Sequence, residues 1–134
     1  MIVRCKGNYV DDSFPYDLYA YWIDRRLERT FPLTIGATYP VVAIVVNQGI
    51  PWYYIHDDDN LSWPIWYPAS LFEVFDGTFP ESWVYDYVTI SRDVQFPIIS
   101  FPEWANDRFF YERLVEGEPS AERAYAVRRA EVTS

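Results

Sequence analysis

The 134-residue sequence holds one cysteine, Cys5, one histidine, His56, and only five glycines. A single cysteine excludes an intramolecular disulfide, and no basic stretch leads into an apolar run and cleavage site at the N-terminus, so a reducing, cytosolic setting is expected. The longest apolar stretch, Val41 to Val46, falls far short of the roughly 20 residues that cross a bilayer, and no membrane partner is expected. So few glycines leave little backbone to cradle phosphates, and there is no serine-elbow pattern and no His/Cys spacing for a metal; no catalytic residue, metal or cofactor is expected. Basic residues are also unevenly missing: no Lys or Arg occurs between Thr30 and Ser91.

Acids and aromatics fill that span. The whole chain carries 20 acidic against 11 basic residues, a formal charge of −9. Asp57, Asp58, Asp59, Glu73, Asp76, Glu81 and Asp86 lie in the base-free stretch, whose field of one sign repels nucleic acid. The same field attracts and steers a basic protein, although excess acid also simply keeps an aromatic-rich domain soluble. Aromatic residues make up 20% of the chain, too many for a small β-fold to bury entirely.

The expected fold class is α+β, mainly β, in a single domain. Ile2 and Val3 open a strand that Gly7-Asn8 ends. The stretch 11–32 reads as a short helix begun by Ser13 or Asp17, with Leu18, Trp22 and Arg25 on one face, against a competing strand alternation at Tyr19, Tyr21 and Ile23. Leu33-Thr34-Ile35-Gly36 ends in a turn, Tyr39 to Val46 reads as one buried strand, and Trp52 to Ile55 follows after Asn47-Gln48-Gly49. Asp57-Asp58-Asp59-Asn60 makes a polar tip. Trp63 to Tyr67 carries Pro64, which favours an edge. Pro68 starts one helical turn before the strand Glu73-Val74-Phe75, and Val84 to Ile90 reads as another strand. Ser100 and Glu103 form a capping-box pattern for a helix running to about Glu116, with Phe110 and Leu114 on one face and Gly117 as its stop. A last helix spans Pro119 to about Ala130, its stripe formed by Ala121, Ala124, Tyr125 and Arg128.

Four pieces occur in order: Ile2-Val3-Arg4-Cys5, Leu33 to Tyr39, Trp52 to Asp58, and Trp66 to Val74 with Tyr67-Pro68-Ala69-Ser70-Leu71-Phe72-Glu73-Val74 at its heart. This arrangement resembles a family of small Src-homology-three-like (SH3-like) barrels of bacteria and phages. The resemblance implies an antiparallel barrel over residues 1–75 with an insertion at 8–31, an added strand region at 76–100 and C-terminal helices at 101–130. The later part, with Phe101-Pro102-Glu103-Trp104 leading to Phe110-Tyr111-Glu112-Arg113-Leu114, is similar in style to acidic immunity proteins of polymorphic-toxin systems. That likeness implies a protein that binds and neutralises a basic toxin domain; an SH3-like peptide-binding or accessory interaction module is the alternative.

The expected partner surface combines steering by Asp57, Asp58 and Asp59 with anchoring by Trp52, Tyr54, Trp63, Trp66 and Tyr67. A calcium role for the aspartate run is disfavoured, because it lacks the glycine and bidentate glutamate of a calcium loop. His56 beside three aspartates is expected to have a raised pKa, which suits a structural or surface residue better than a base. Cys5 in the first strand is expected to be a small buried hydrophobe.

Overall fold

A computed structural model describes residues 1–9, 30–47, 49–91 and 94–133. Eight strands occur among them: β1 (Ile2–Cys5), β2 (Thr38–Pro40), β3 (Ala43–Asn47), β4 (Ile50–Ile55), β5 (Ile65–Pro68), β6 (Phe72–Asp76), β7 (Val84–Ser91) and β8 (Val94–Ser100). A single 3-10 turn, Ala69–Leu71, joins β5 to β6, and the helices are α1 (Pro102–Ala105), α2 (Phe110–Val115) and α3 (Pro119–Thr133). None of these helices is long and apolar enough to cross a membrane. The helix expected within 11–32 lies outside the described residues, apart from its closing end: Tyr9 bridges Thr30, and Phe31 donates to the Asn8 carbonyl at 2.7 Å.

The mainly antiparallel α+β class is observed, but the strands form two open sheets and not the closed barrel expected. One sheet has the order β2-β1-β6 and the other β5-β4-β3-β8-β7. The chain crosses between them at adjacent buried valines. Val41 N–H bonds to the Met1 carbonyl in the first sheet at 2.9 Å, and Val42 N–H bonds to the Tyr54 carbonyl in the second at 3.0 Å. The single strand expected from Tyr39 to Val46 is therefore two, parted at Val41 and Val42. On the far side, β5 and β6 end up on edges of different sheets, because the 3-10 turn redirects the chain with Leu71 and Phe72 buried beneath it.

Strand β8 lies within the strand region expected at 76–100, where Val84 to Ile90 is the one strand the sequence marks. It lies between β3 and β7 despite Pro97, because its pairing with β3 stops at Ile98; at Pro97 the strand is laddered to β7 alone. The capping box was also misplaced. Ser100 belongs to β8, and its buried hydroxyl donates to the Val42 carbonyl at 2.7 Å, so Phe101 precedes α1 without any side-chain cap. Instead of one helix to Glu116 there are two short ones, split where Asp107 turns its carboxylate onto the Phe109 N–H at 2.9 Å. Gly117 does take the left-handed conformation, φ 79°, that stops α2.

A contiguous core runs through both sheets and the helices. Val3, Val41, Ile55 and Tyr67 join Val45, Trp52 and Ile98, and Phe101, Trp104, Phe110 and Tyr125 extend it into the helical layer. Arg128 on α3 grips Glu103 on α1 with a two-pronged pair at 2.8 and 3.0 Å, fixing the last helix over this end.

Candidate protein-binding surface

The acidic hairpin tip is a structural knot. Asp57 is 2% exposed, and its carboxyl oxygens accept the Tyr67 hydroxyl at 2.5 Å, the Asn60 N–H at 2.8 Å, the Asp59 N–H at 3.0 Å and the Asn60 side-chain amide at 3.1 Å. Asp58, although exposed, accepts both the Thr34 and Tyr39 hydroxyls at 2.8 Å, and its N–H donates to the Pro32 carbonyl. Asp58 thus ties the tip to the 30–39 segment, and Asp57 ties it to Tyr67 on β5. Only Asp59 remains a plain exposed charge.

His56 departs from expectation in sign. Its Nδ1 lies 2.9 Å from the Asn60 carbonyl, which only accepts, so Nδ1 carries the proton and Nε2 accepts the Tyr125 hydroxyl at 2.6 Å. Burial is the largest influence and lowers the histidine pKa, outweighing the nearby Asp57. Burial likewise raises the Tyr125 pKa, keeping that hydroxyl a donor. Cys5 is buried as expected, donates weakly to the Gly7 carbonyl at 3.3 Å, and has a raised pKa because of burial.

The expected aromatic anchors are mostly spent on packing. Trp52 and Tyr67 are buried and cannot face a partner. Trp52 stacks on Trp66 at 4.6 Å, while Tyr54 meets Trp104 edge-on at 4.8 Å and Tyr111 at 5.2 Å. Tyr111 reaches past them to donate to the Pro64 carbonyl at 2.7 Å, and burial pushes its pKa up to about 12. The C-terminal helices therefore cover one face of β4 and β5, leaving Tyr54, Trp63 and Trp66 only partly accessible.

Four exposed rings fall elsewhere, along residues 75–87. Phe75 is 56% exposed, Phe79 43%, Tyr85 65% and Tyr87 53%. Residues directly opposite in an antiparallel register share a face, so Tyr85, Ile99, Ile44 and Tyr53 make an uncharged row across β7, β8, β3 and β4, with Tyr87 beside Pro97 next to it. The opposite face carries Ile98, Val45 and Trp52 in register and is buried. Before β7, Phe79 stacks on Trp83 at 5.2 Å, which holds the ring rigid at the surface. Acids are interspersed among these rings: Glu73, Asp76, Glu81 and Asp86 all fall in the same fifteen-residue span, 73–87.

The sequence reading places none of the exposed rings Phe75, Phe79, Tyr85 and Tyr87 at the partner surface. The usable signal was the position of Phe79 in a loop beside Gly77 and Pro80, where side chains face solvent. No protein-family model, curated protein or solved structure matches this chain.

Proposed function

We propose that the chain is a non-catalytic binding protein that neutralises a basic protein partner, in the manner of an immunity protein blocking a bacterial toxin domain. The carrying observation is the stretch 73–87, where four exposed rings alternate with four acids and no base of its own, Arg4 being the one cation that reaches it, at Phe75 and Glu73. Rigid aromatics supply contact area at low entropy cost and dominate binding energy, while exposed acids raise the encounter rate with a cation. The connectivity supports the finer fold reading as well: β6 returns to pair with β1 after a single 3-10 turn, as in a small SH3-like unit, with β7 and β8 added beside β3.

The peptide-module alternative needs an open groove at Tyr54 and Tyr67, and burial of Tyr67 with Trp104 and Tyr111 over Tyr54 does not favour it. A binding role is also favoured by the engagement of both His56 nitrogens in packing contacts.

Co-expression with a toxic domain, sought among the products of neighbouring genes, tests the reading. Growth should be rescued, and the purified pair should associate more slowly as salt rises. A neighbouring product that is acidic, or rescue untouched by Asp76→Lys, Glu81→Lys and Asp86→Lys together, would overturn it.

A further inference from the structure

Two adjoining clefts meet at Pro80 and Glu131, where the loop between β6 and β7 faces the C-terminal end of α3. The first encloses about 210 Å³, with Ile2, Phe79 and Val132 as apolar walls and Asp76 and Glu131 as its carboxylates. The second, about 430 Å³, adds Glu81 and Ser82. The first is below the roughly 300 Å³ at which small-molecule pockets begin, and so suits one long side chain. Among the described residues no Lys or Arg lines either cleft, although Glu131 is already paired with Arg128 at 3.0 Å, which leaves Asp76 and Glu81 as the carboxylates open to a cation. Ser82 donates to Glu131 at 2.8 Å and Thr78 N–H to Asp76 at 2.9 Å, so both carboxylates are held in place. That bond from Thr78 lowers the Asp76 pKa and keeps the group charged. The Met1 amine lies beside Asp76, but burial lowers its pKa and weakens it as a competitor.

The molecule already shows the matching chemistry one step along β6. Arg4 lies over the Phe75 ring at 4.6 Å from its centroid and pairs with Glu73 at 3.8 Å. A ring and a carboxylate together hold a guanidinium there. In the cleft, Phe79 and Asp76 offer the same pair of groups.

We propose that this cleft receives an arginine side chain of the basic partner, its guanidinium against the Phe79 ring and beside the Asp76 carboxylate, with Glu81 in the adjoining cleft. Arginine is favoured over lysine because its planar, weakly hydrated head stacks on a ring while it donates to carboxylates. The apolar row ending at Tyr85 begins four residues beyond Glu81, no more than about 14 Å of chain, so one partner of ordinary footprint reaches both. The inference rests on the basic-partner reading above.

An amide NMR titration of the full chain with N-acetyl-arginine amide tests it, with N-acetyl-citrulline amide as the neutral isostere. Saturable shifts are expected at Thr78, Phe79, Glu81, Ser82 and Val132, absent with citrulline and lost in the Asp76→Asn, Glu81→Gln variant, whose spectrum elsewhere should stay that of the folded protein. Phe79→Ala should weaken the arginine response about fivefold, the usual scale of a cation–π contact. Equal shifts from citrulline, no shifts, or shifts that persist in the double variant would overturn the assignment. Rescue from the toxin that survives loss of arginine binding would sink the cleft alone, whereas arginine binding without any neutralised partner would sink the functional reading and leave the cleft.

Discussion

Asp57 and Asp59 are two residues apart in one acidic run, yet replacing each by alanine should have sharply different effects. In Asp57→Ala the buried Tyr67 hydroxyl loses its acceptor, and the Asp59 and Asn60 N–H groups lose the oxygen that folds the tip. A buried donor left unsatisfied costs about 1–3 kcal/mol, and the loop's own bonds to a carboxylate add about 1–2 kcal/mol, for a total near 3–4 kcal/mol. Against a domain stability of about 5–15 kcal/mol that is a large fraction, and it should lower the melting temperature by about 10 °C. Asp59→Ala, at an exposed site, should stay within about 0.5 kcal/mol of the parent. Urea unfolding followed by tryptophan fluorescence reads both, with an unchanged slope showing that the same transition is compared. Tyr67→Phe completes a double-mutant cycle, in which the pair should couple by about 1–2 kcal/mol. If Asp57→Ala and Asp59→Ala differ by less than 0.5 kcal/mol, the buried knot is not what holds the hairpin tip.

Acid should weaken the fold through His56. Its folded pKa lies below the unfolded value of 6.5, so the unfolded chain takes up the proton first; stability is full above about pH 6.5 and declines as pH falls through the window beneath it. His56→Gln should flatten the stability profile between pH 7 and 5, and an unaltered slope would count against the Tyr125 contact. The paired acids Glu103 and Asp107, whose pKa values are lowered chiefly by Arg128 and Arg113, lose their contribution in a separate window, below their ordinary values of 4.5 and 3.8. Ser100→Ala should cost about 1–2 kcal/mol by removing a buried donor from the Val42 carbonyl, whereas a true helix cap would have shown its loss as fraying of α1 in hydrogen exchange. With a neutralised partner in hand, Asp76→Asn, Glu81→Gln and Asp86→Asn together should slow association and flatten its salt dependence, while Tyr85→Ala should speed dissociation by about 2 kcal/mol; surface plasmon resonance separates the two.

Local chemistry made much of the fold legible. Gly36 and Gly49 take positive φ at the turns expected, Pro68 precedes the 3-10 turn, and Phe110, Leu114, Ala121 and Tyr125 are buried on the helical faces that their spacing indicated. What stayed hidden depends on partners far along the chain. Nothing near Val41 and Val42 announces that adjacent N–H groups serve different sheets, and a strand through Pro97 is tolerable only because β3 ends its pairing first. The candidate site suffered most. Asp57, Asp58 and Asp59 are chemically identical, so their division into a buried knot, a brace on Tyr39 and a free charge is set by Tyr67, Tyr39 and Thr34, from 10 to 24 residues away. Likewise Trp52 and Tyr85 both alternate on strands, and only the side on which the helices pack decides which of them meets solvent.

The same geometry bears on how a partner engages the edge of the larger sheet. Strand β7 ends the five-stranded order, and an eight-residue edge ordinarily invites another strand to add on. Here Asp86 turns its carboxylate onto the N–H of Tyr87 at 2.6 Å, and across the ladder from Tyr87 stands Pro97, which has no N–H to offer. An incoming strand would have to displace a charge-assisted bond at the middle of the edge before forming its own, and a second copy of this chain would bring a formal charge of −9 against another −9. Strand addition is thus disfavoured at the place where the rings are most exposed. What remains attractive is the face of Tyr85 and Tyr87 with Ile99 and Pro97, while Asp86, opposite Ile98, lies on the other face. On the reading proposed above, a basic partner would dock there by side chains laid on the sheet, and the acids would serve twice: they would draw in the cation, and Asp86, bonded to the Tyr87 N–H, would hinder strand addition at the edge.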